Sequence, residues 1–140
     1  MEAQERSLAL PVPPMNGDSR PYWEAAREGR LVIRQCRACS QVHFMPRHVC
    51  PHCWSDALDW IDASGHGVVH SYSIVRRAPL AEFAAEVPYV VALIDLDEGP
   101  RMMANIVGEG RLEVRIGEAV TVLFEPRGDV ALPQFRRQLA

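Results

Sequence analysis

The second half of the chain alternates apolar and polar positions with the period of two expected of strands. Gly67 to Val75 (GVVHSYSIV) alternates and is rich in β-branched and aromatic residues, which predicts a strand. Tyr89 to Leu96 (YVVALIDL) is a nearly continuous apolar run, which predicts a strand covered on both faces. Asp97-Glu98-Gly99 then reads as a hairpin turn leading to a strand from Arg101 to Val107, broken by Gly108 and Gly110. Val114 to Phe124 reads as further strand interrupted at Gly117, and Ala131 to Phe135 as a last short strand or arm. Some five strands with no long helix would leave too many open edges unless the sheet closes. The pattern predicts a small barrel, and either an OB-fold or an SH3-like barrel satisfies it.

The first half has a different texture. Residues 1–18 hold Pro11, Pro13 and Pro14 and show no hydrophobic period, so they read as a flexible or extended arm. Ser19-Arg20-Pro21 looks like a helix start, with a capping residue and a proline in the first turn. Tyr22, Trp23, Ala26 and Leu31 lie near helical spacing, and Gly29 supplies the stop. A helix this short is marginal in water and must pack on something. Leu31 to Gln35 reads as a short strand that delivers the chain to its first cysteine. The expected organisation is an arm over 1–18, a helix with a cysteine-rich unit over 19–62, and a barrel with a C-terminal arm over 63–140.

Composition narrows the class. The 140 residues are 48% hydrophobic and 24% charged, ordinary for a chain that buries a core. A net charge of −3 lacks the basic excess that phosphate binding uses. Arg76-Arg77 and Arg136-Arg137 therefore read as solvated surface. No apolar run approaches the roughly 20 residues of a membrane span. The N-terminus also lacks the basic start and apolar stretch of a secretion signal, so a cytoplasmic protein is expected.

All four cysteines fall in one pattern: Cys36-Arg37-Ala38-Cys39, ten intervening residues, then Cys50-Pro51-His52-Cys53. Each C-x-x-C turn aims two thiolates at one point, and two such turns complete a tetrahedron. Zinc suits four soft thiolates and needs no redox change. Two disulfides would require an oxidising compartment, against the missing signal. Iron in a rubredoxin-like site would take the same four ligands, and the sequence does not separate the two metals. His43, His48 and His52 lie close by, and His52 reads as an outward-facing knuckle residue. Four protein ligands leave no open position for water, so the expected metal is structural and non-catalytic.

No catalytic set accompanies it. The serines lack a G-x-S-x-G elbow, and Gly65-His66-Gly67 lacks the third glycine of a nucleotide loop. Asp95 and Asp97 read as solvent-facing carboxylates before a turn, and Arg127-Gly128-Asp129 as a turn.

At this point the sequence resembles a known family: OB-fold, acyl-CoA-associated proteins with a rubredoxin-like zinc ribbon. The resemblance covers residues 19–137. It begins with PYWEAAREGRL and runs through QCRACSQVHFMPRHVCPHC, where Phe44, Pro46 and Arg47 match the family's aromatic followed by Pro-Arg. GVVHSYS resembles the first barrel strand, and PYVVALIDLDEGPRMMANIVG the hairpin, with Asn105 downstream. RIGEAVTVLFEP and Leu132-Pro133-Gln134-Phe135 resemble the closing segment. The resemblance selects the OB-fold, giving a mainly β chain: short helix, zinc ribbon, five-stranded barrel.

What it implies is a non-catalytic partner of an acyl-CoA enzyme. That enzyme would be a thiolase-like acyltransferase or a retro-aldol lyase of steroid side-chain degradation, with the CoA thioester bound in the complex. A hot-dog-fold enoyl-CoA hydratase is the alternative partner, and a single-stranded nucleic-acid module the alternative function. Tyr22, Trp23, Phe44, Trp54 and Trp60 are the aromatic candidates for the partner contact. Packing between ribbon and barrel is an equally good reading of Trp54 and Trp60. Arg76, Arg77 and Arg101 are conceivable clamps for CoA phosphates, but the sequence orients none of them and no CoA site is assigned.

Overall fold

The computed structural model describes residues 9–138. The first eight residues of the expected arm lie outside the described residues. Residues 9–16 have no regular structure and run along the barrel: the Arg127 guanidinium donates to the Pro11 carbonyl at 3.2 Å.

The helix, α1, spans Arg20–Arg27. Pro21 sits in its first turn, where a missing N–H costs nothing. Ser19 stands at the cap position, but its hydroxyl caps no helical N–H. Instead Ser19 Oγ accepts from the Asn16 N–H at 3.1 Å while Asn16 Oδ1 accepts from the Ser19 N–H at 2.8 Å. The reciprocal pair fixes the turn before the helix. At the other end the Gly29 N–H reaches the Ala26 carbonyl and the Arg30 N–H the Ala25 carbonyl. That is the Schellman closure, and it places Gly29 at φ +79°, as its stop role predicts.

Three strands follow as one antiparallel sheet in the order β2-β1-β3: β1 Val32–Cys36, β2 Val42–His43 and β3 Leu58–Asp62. The register sets Ile33 opposite Ile61 and Cys36 opposite Leu58. The remaining strands are β4 His66–Val75, β5 Tyr89–Leu96, β6 Arg101–Ile106, β7 Ala119–Arg127 and β8 Val130–Arg137. They close into a barrel in the order β4-β5-β6-β8-β7. Closure removes the edges that five such strands would expose. Among the described residues no helix is long and apolar enough to cross a membrane.

Three expectations are corrected. In β5, Val90, Ala92, Ile94 and Leu96 are buried, but the alternate residues are only partly covered, so the strand is not sealed on both faces. A barrel has one inside, and the outward residues of β5 are covered only in part, Tyr89 by Phe83 and Asp95 by Arg101 and His70. Val114 to Gly117 is not strand: a 3₁₀ turn at Arg111–Glu113 and positive φ at Gly110 and Gly117 bend the backbone, and β7 begins at Ala119. The last segment is a full strand of eight residues.

One cluster of buried side chains holds the parts together. Tyr22, Leu31 and Ile33 join Val69, Val90, Ile94, Ile106, Val120 and Phe135 in it. The helix and β1 are thus packed into the barrel core. Gly67 marks a close approach inside it: a Cβ there would stand 2.6 Å from Ile94 Cγ2 and 2.8 Å from the Asp95 carbonyl oxygen.

The seam between β6 and β8 is bridged by side chains. These strands are parallel and pair only at Ile106 and Phe135. Beyond that pair, Gln134 Oε1 accepts from the Asn105 backbone N–H at 2.8 Å, replacing a ladder bond. Gln134 Nε2 donates to Asn105 Oδ1 and Glu125 Oε1, and Asn105 Nδ2 donates to the Val90 carbonyl. Pro133, which has no N–H, sits in the stretch where β8 lacks a β6 neighbour. Gln134→Leu keeps the volume but orphans the Asn105 N–H and Oδ1. We expect it to cost about 2 kcal/mol, read as a lower urea midpoint at unchanged zinc content.

Candidate metal centre and its surroundings

The two C-x-x-C turns are built alike. The first lies between β1 and β2, the second before β3. In the first, the Ala38 N–H donates to Cys36 Sγ; in the second, the His52 N–H donates to Cys50 Sγ, both at 3.3 Å. The Ser40 N–H then closes on the Cys36 carbonyl and the Trp54 N–H on the Cys50 carbonyl, both at 2.9 Å. This geometry drives the residue after each second cysteine into the left-handed region: φ is +68° at Ser40 and +71° at Trp54.

The turns face each other, so Cys36, Cys39, Cys50 and Cys53 place their sulfurs within 4.8 Å of one another. Cys36 Sγ lies 3.6 Å from Cys53 Sγ, and Cys39 Sγ 3.7 Å from Cys50 Sγ. A disulfide requires about 2.05 Å, so these are free thiols. A tetrahedron with bonds of about 2.3 Å has edges of about 3.8 Å. The donor set therefore fits one zinc ion. N–H groups pointing at sulfur favour thiolate: led by the backbone N–H of Cys39, they pull the Cys36 thiol down to about 7. The Ser55 N–H pulls Cys53 the same way, yet burial and the neighbouring sulfurs push it to about 12. Four negative sulfurs in one place need a cation.

No histidine joins the sulfurs. His52 is exposed, as expected, and His48 is exposed beside Asp18 at 3.6 Å. His43 is buried on β2, and neither ring nitrogen has a protein partner among the described residues. Burial, with Arg34, His52 and Arg47 nearby, lowers its affinity for a proton.

The aromatic candidates separate. Tyr22 is buried edge-on to Trp23 and Phe44, at centroid distances of 4.8 and 5.7 Å. Trp60 is half-buried, with the Arg34 guanidinium 4.3 Å above its ring. Trp54 is 82% exposed, so the packing reading fails for that residue. Of the arginines, Arg76 and Arg77 are solvated and Arg137 is held by Glu118 at 2.7 Å. Arg101 donates to Asp95 at 2.6 Å and holds that carboxyl below its ordinary range, while His70 approaches from the other side at 3.4 Å. Asp95 is thus a paired group and not a bare solvent-facing carboxylate.

One feature escaped the sequence reading. A groove of about 740 Å³ runs between α1, the ribbon and the outer face of β5, β6 and β8. Trp23, Phe44, Met45, Met103, Leu132 and Pro133 give it an apolar wall, with Asn105 and Gln134 beside them. No single segment carries its signal, because it exists only where segments distant in sequence meet.

Residues 23–59 match the family described as ChsH2, rubredoxin-like zinc ribbon domain, and residues 60–125 that described as ChsH2, C-terminal OB-fold domain. Over 137 residues the chain is 39% identical to a probable enoyl-CoA hydratase alpha subunit of Thermomonospora curvata, covering 96% of this chain and 42% of that protein. It thus spans less than half of that relative. It is 36% identical over 104 residues to a DUF35 domain-containing scaffold protein of Methanocaldococcus jannaschii, 73% of each chain. A solved chain of the Ltp2-ChsH2(DUF35) aldolase superposes with a TM-score of 0.81 at 38% identity, over 91% of this chain and 100% of that one. The barrel is accordingly an OB-fold, and the paired turns form a zinc ribbon for a structural Zn²⁺. The chain belongs to the DUF35 family, in which a rubredoxin-like zinc ribbon is joined to a ChsH2-type OB-fold.

Proposed function

We propose that the chain is a non-catalytic subunit of a cytoplasmic enzyme complex, docking on a thiolase-like acyl-CoA enzyme and supporting its CoA-thioester site. The partner is an acyltransferase or a retro-aldol lyase, with steroid side chains among its substrates. Cys36, Cys39, Cys50 and Cys53 hold the zinc that shapes the ribbon. The observation that carries this reading is the likeness, over 91% of this chain, to a solved chain of the Ltp2-ChsH2(DUF35) aldolase. The closed donor set supports it, since four thiolates leave the metal no position for substrate. Four free thiols in contact also suit a reducing compartment. A second reading, with an enoyl-CoA hydratase as partner, is favoured by the 39% identity to the Thermomonospora curvata subunit.

Co-expression with a thiolase-like subunit tests the proposal. A stoichiometric complex with one zinc per DUF35 chain is expected, together with CoA-ester turnover by the complex and none by this chain alone. Turnover by the isolated chain would overturn it. So would salt-sensitive binding of single-stranded oligonucleotide with no affinity for the enzyme.

A further inference from the structure

Trp54 sits at a backbone position that strains a bulky residue, and its indole is largely exposed. The second knuckle forces the residue after Cys53 to φ +71° so that its N–H can close on the Cys50 carbonyl. The equivalent position in the first knuckle holds Ser40, a small polar residue, at φ +68°. A bulky residue in that region is a true outlier. Its strain is normally offset by contacts of the side chain. Here the indole is 82% exposed, and among the described residues it makes no hydrogen bond or ring contact. The other two tryptophans, Trp23 and Trp60, pack against the core cluster.

We propose that Trp54 is the anchor by which the ribbon tip enters an apolar socket on the partner enzyme. This rests on the reading of the chain as a docking subunit and adds where it grips. A rigid indole loses little entropy on binding and brings one N–H, so the socket carries an acceptor at its rim. A protein fits this tip better than a nucleic acid. Stacking on bases needs positive charge for the phosphates, but Asp56 stands two residues away and Arg37 is paired with Asp59. The sequence alone could not pick Trp54 from the five aromatic candidates, because the knuckle's backbone and the indole's exposure decide it.

The test uses the full chain and its thiolase-like partner. Trp54→Ala should weaken the complex by about 30-fold in Kd, as expected for a hot spot, while keeping one zinc per chain. Trp54→Gly should weaken it equally and raise the melting midpoint of the free chain by about 3 °C, because glycine adopts positive φ freely. Ser40→Gly should leave the complex unchanged. Acrylamide quenching of tryptophan emission should fall when the wild-type complex forms. Wild-type affinity in Trp54→Ala would overturn this inference and leave the docking role standing. A wild-type chain that binds no such enzyme would sink both, and salt-sensitive oligonucleotide binding lost in Trp54→Ala would reassign the tip to nucleic acid.

Discussion

Cys36→Ser is expected to emerge without zinc, with a ribbon that no longer folds and a melting midpoint lower by more than about 10 °C. Cys36 is buried, ends β1 and stands opposite Leu58 of β3, so the sulfur and the sheet share one residue. A serine hydroxyl is a poor zinc ligand, and the three remaining thiolates would lose their common cation. Three residues before Cys36, Ile33 lies in the core cluster with Phe135 and Ile106. Disorder in the knuckles would therefore reach the barrel. Acid should act in the same direction. Zinc binds thiolates, so it releases protons, and falling pH returns them. Cys53, pushed up to about 12 by burial and the neighbouring sulfurs, must give up its proton before four thiolates can share one ion. Zinc-dependent stability should be complete at neutral pH and fall as pH drops toward 5. Metal analysis and melting at pH 7.5 and pH 5, with and without chelator, read both effects. A Cys36→Ser chain with full zinc and an unchanged midpoint would remove the assignment.

Local signals made much of this legible in the sequence. The cysteine spacing announces the metal centre because each C-x-x-C turn is closed by its own backbone N–H groups, within five residues. Gly29 and the Asp97-Glu98-Gly99 turn were readable for a similar reason: positive φ there calls for glycine. What failed depended on distant parts of the chain. Val114 and Ile116 look like strand residues, yet the backbone between Gly110 and Gly117 turns. Val114 is buried there without belonging to a strand. The outer face of β5 reads as core in an apolar run, but its cover is partial because the helix and ribbon leave a groove. The amide bridge of Asn105 and Gln134 spans 29 positions, and no window of sequence contains both. Trp54 shows the limit most clearly. Its identity suggested either packing or docking, and only its exposure on a strained knuckle separates them.

Phe135→Ala should destabilise the chain by about 4 kcal/mol, the cost of removing a large buried ring and leaving a cavity. Phe135 has no exposed surface. It forms the single β6–β8 pair with Ile106 and faces Val122 of β7, and its carbonyl accepts the Val107 N–H at 2.8 Å. The ring therefore sits where the barrel closes, beside a seam that otherwise depends on Gln134. A domain of this size holds about 5–15 kcal/mol in all, so the variant should sit near the edge of folding at 37 °C. Zinc content separates this effect from that of Cys36→Ser: at 10 °C the Phe135→Ala chain should still bind one zinc, because its knuckles are untouched. Its urea transition should remain single. Tyr22 and Ile33 share the core cluster with Phe135, which couples helix and ribbon to the barrel through direct packing. Two resolved transitions, with the ribbon outlasting the barrel, would show that the coupling is weaker than this packing implies. Joint loss of both units would mean that helix, ribbon and barrel melt as one body, which holds groove and ribbon tip in fixed relation.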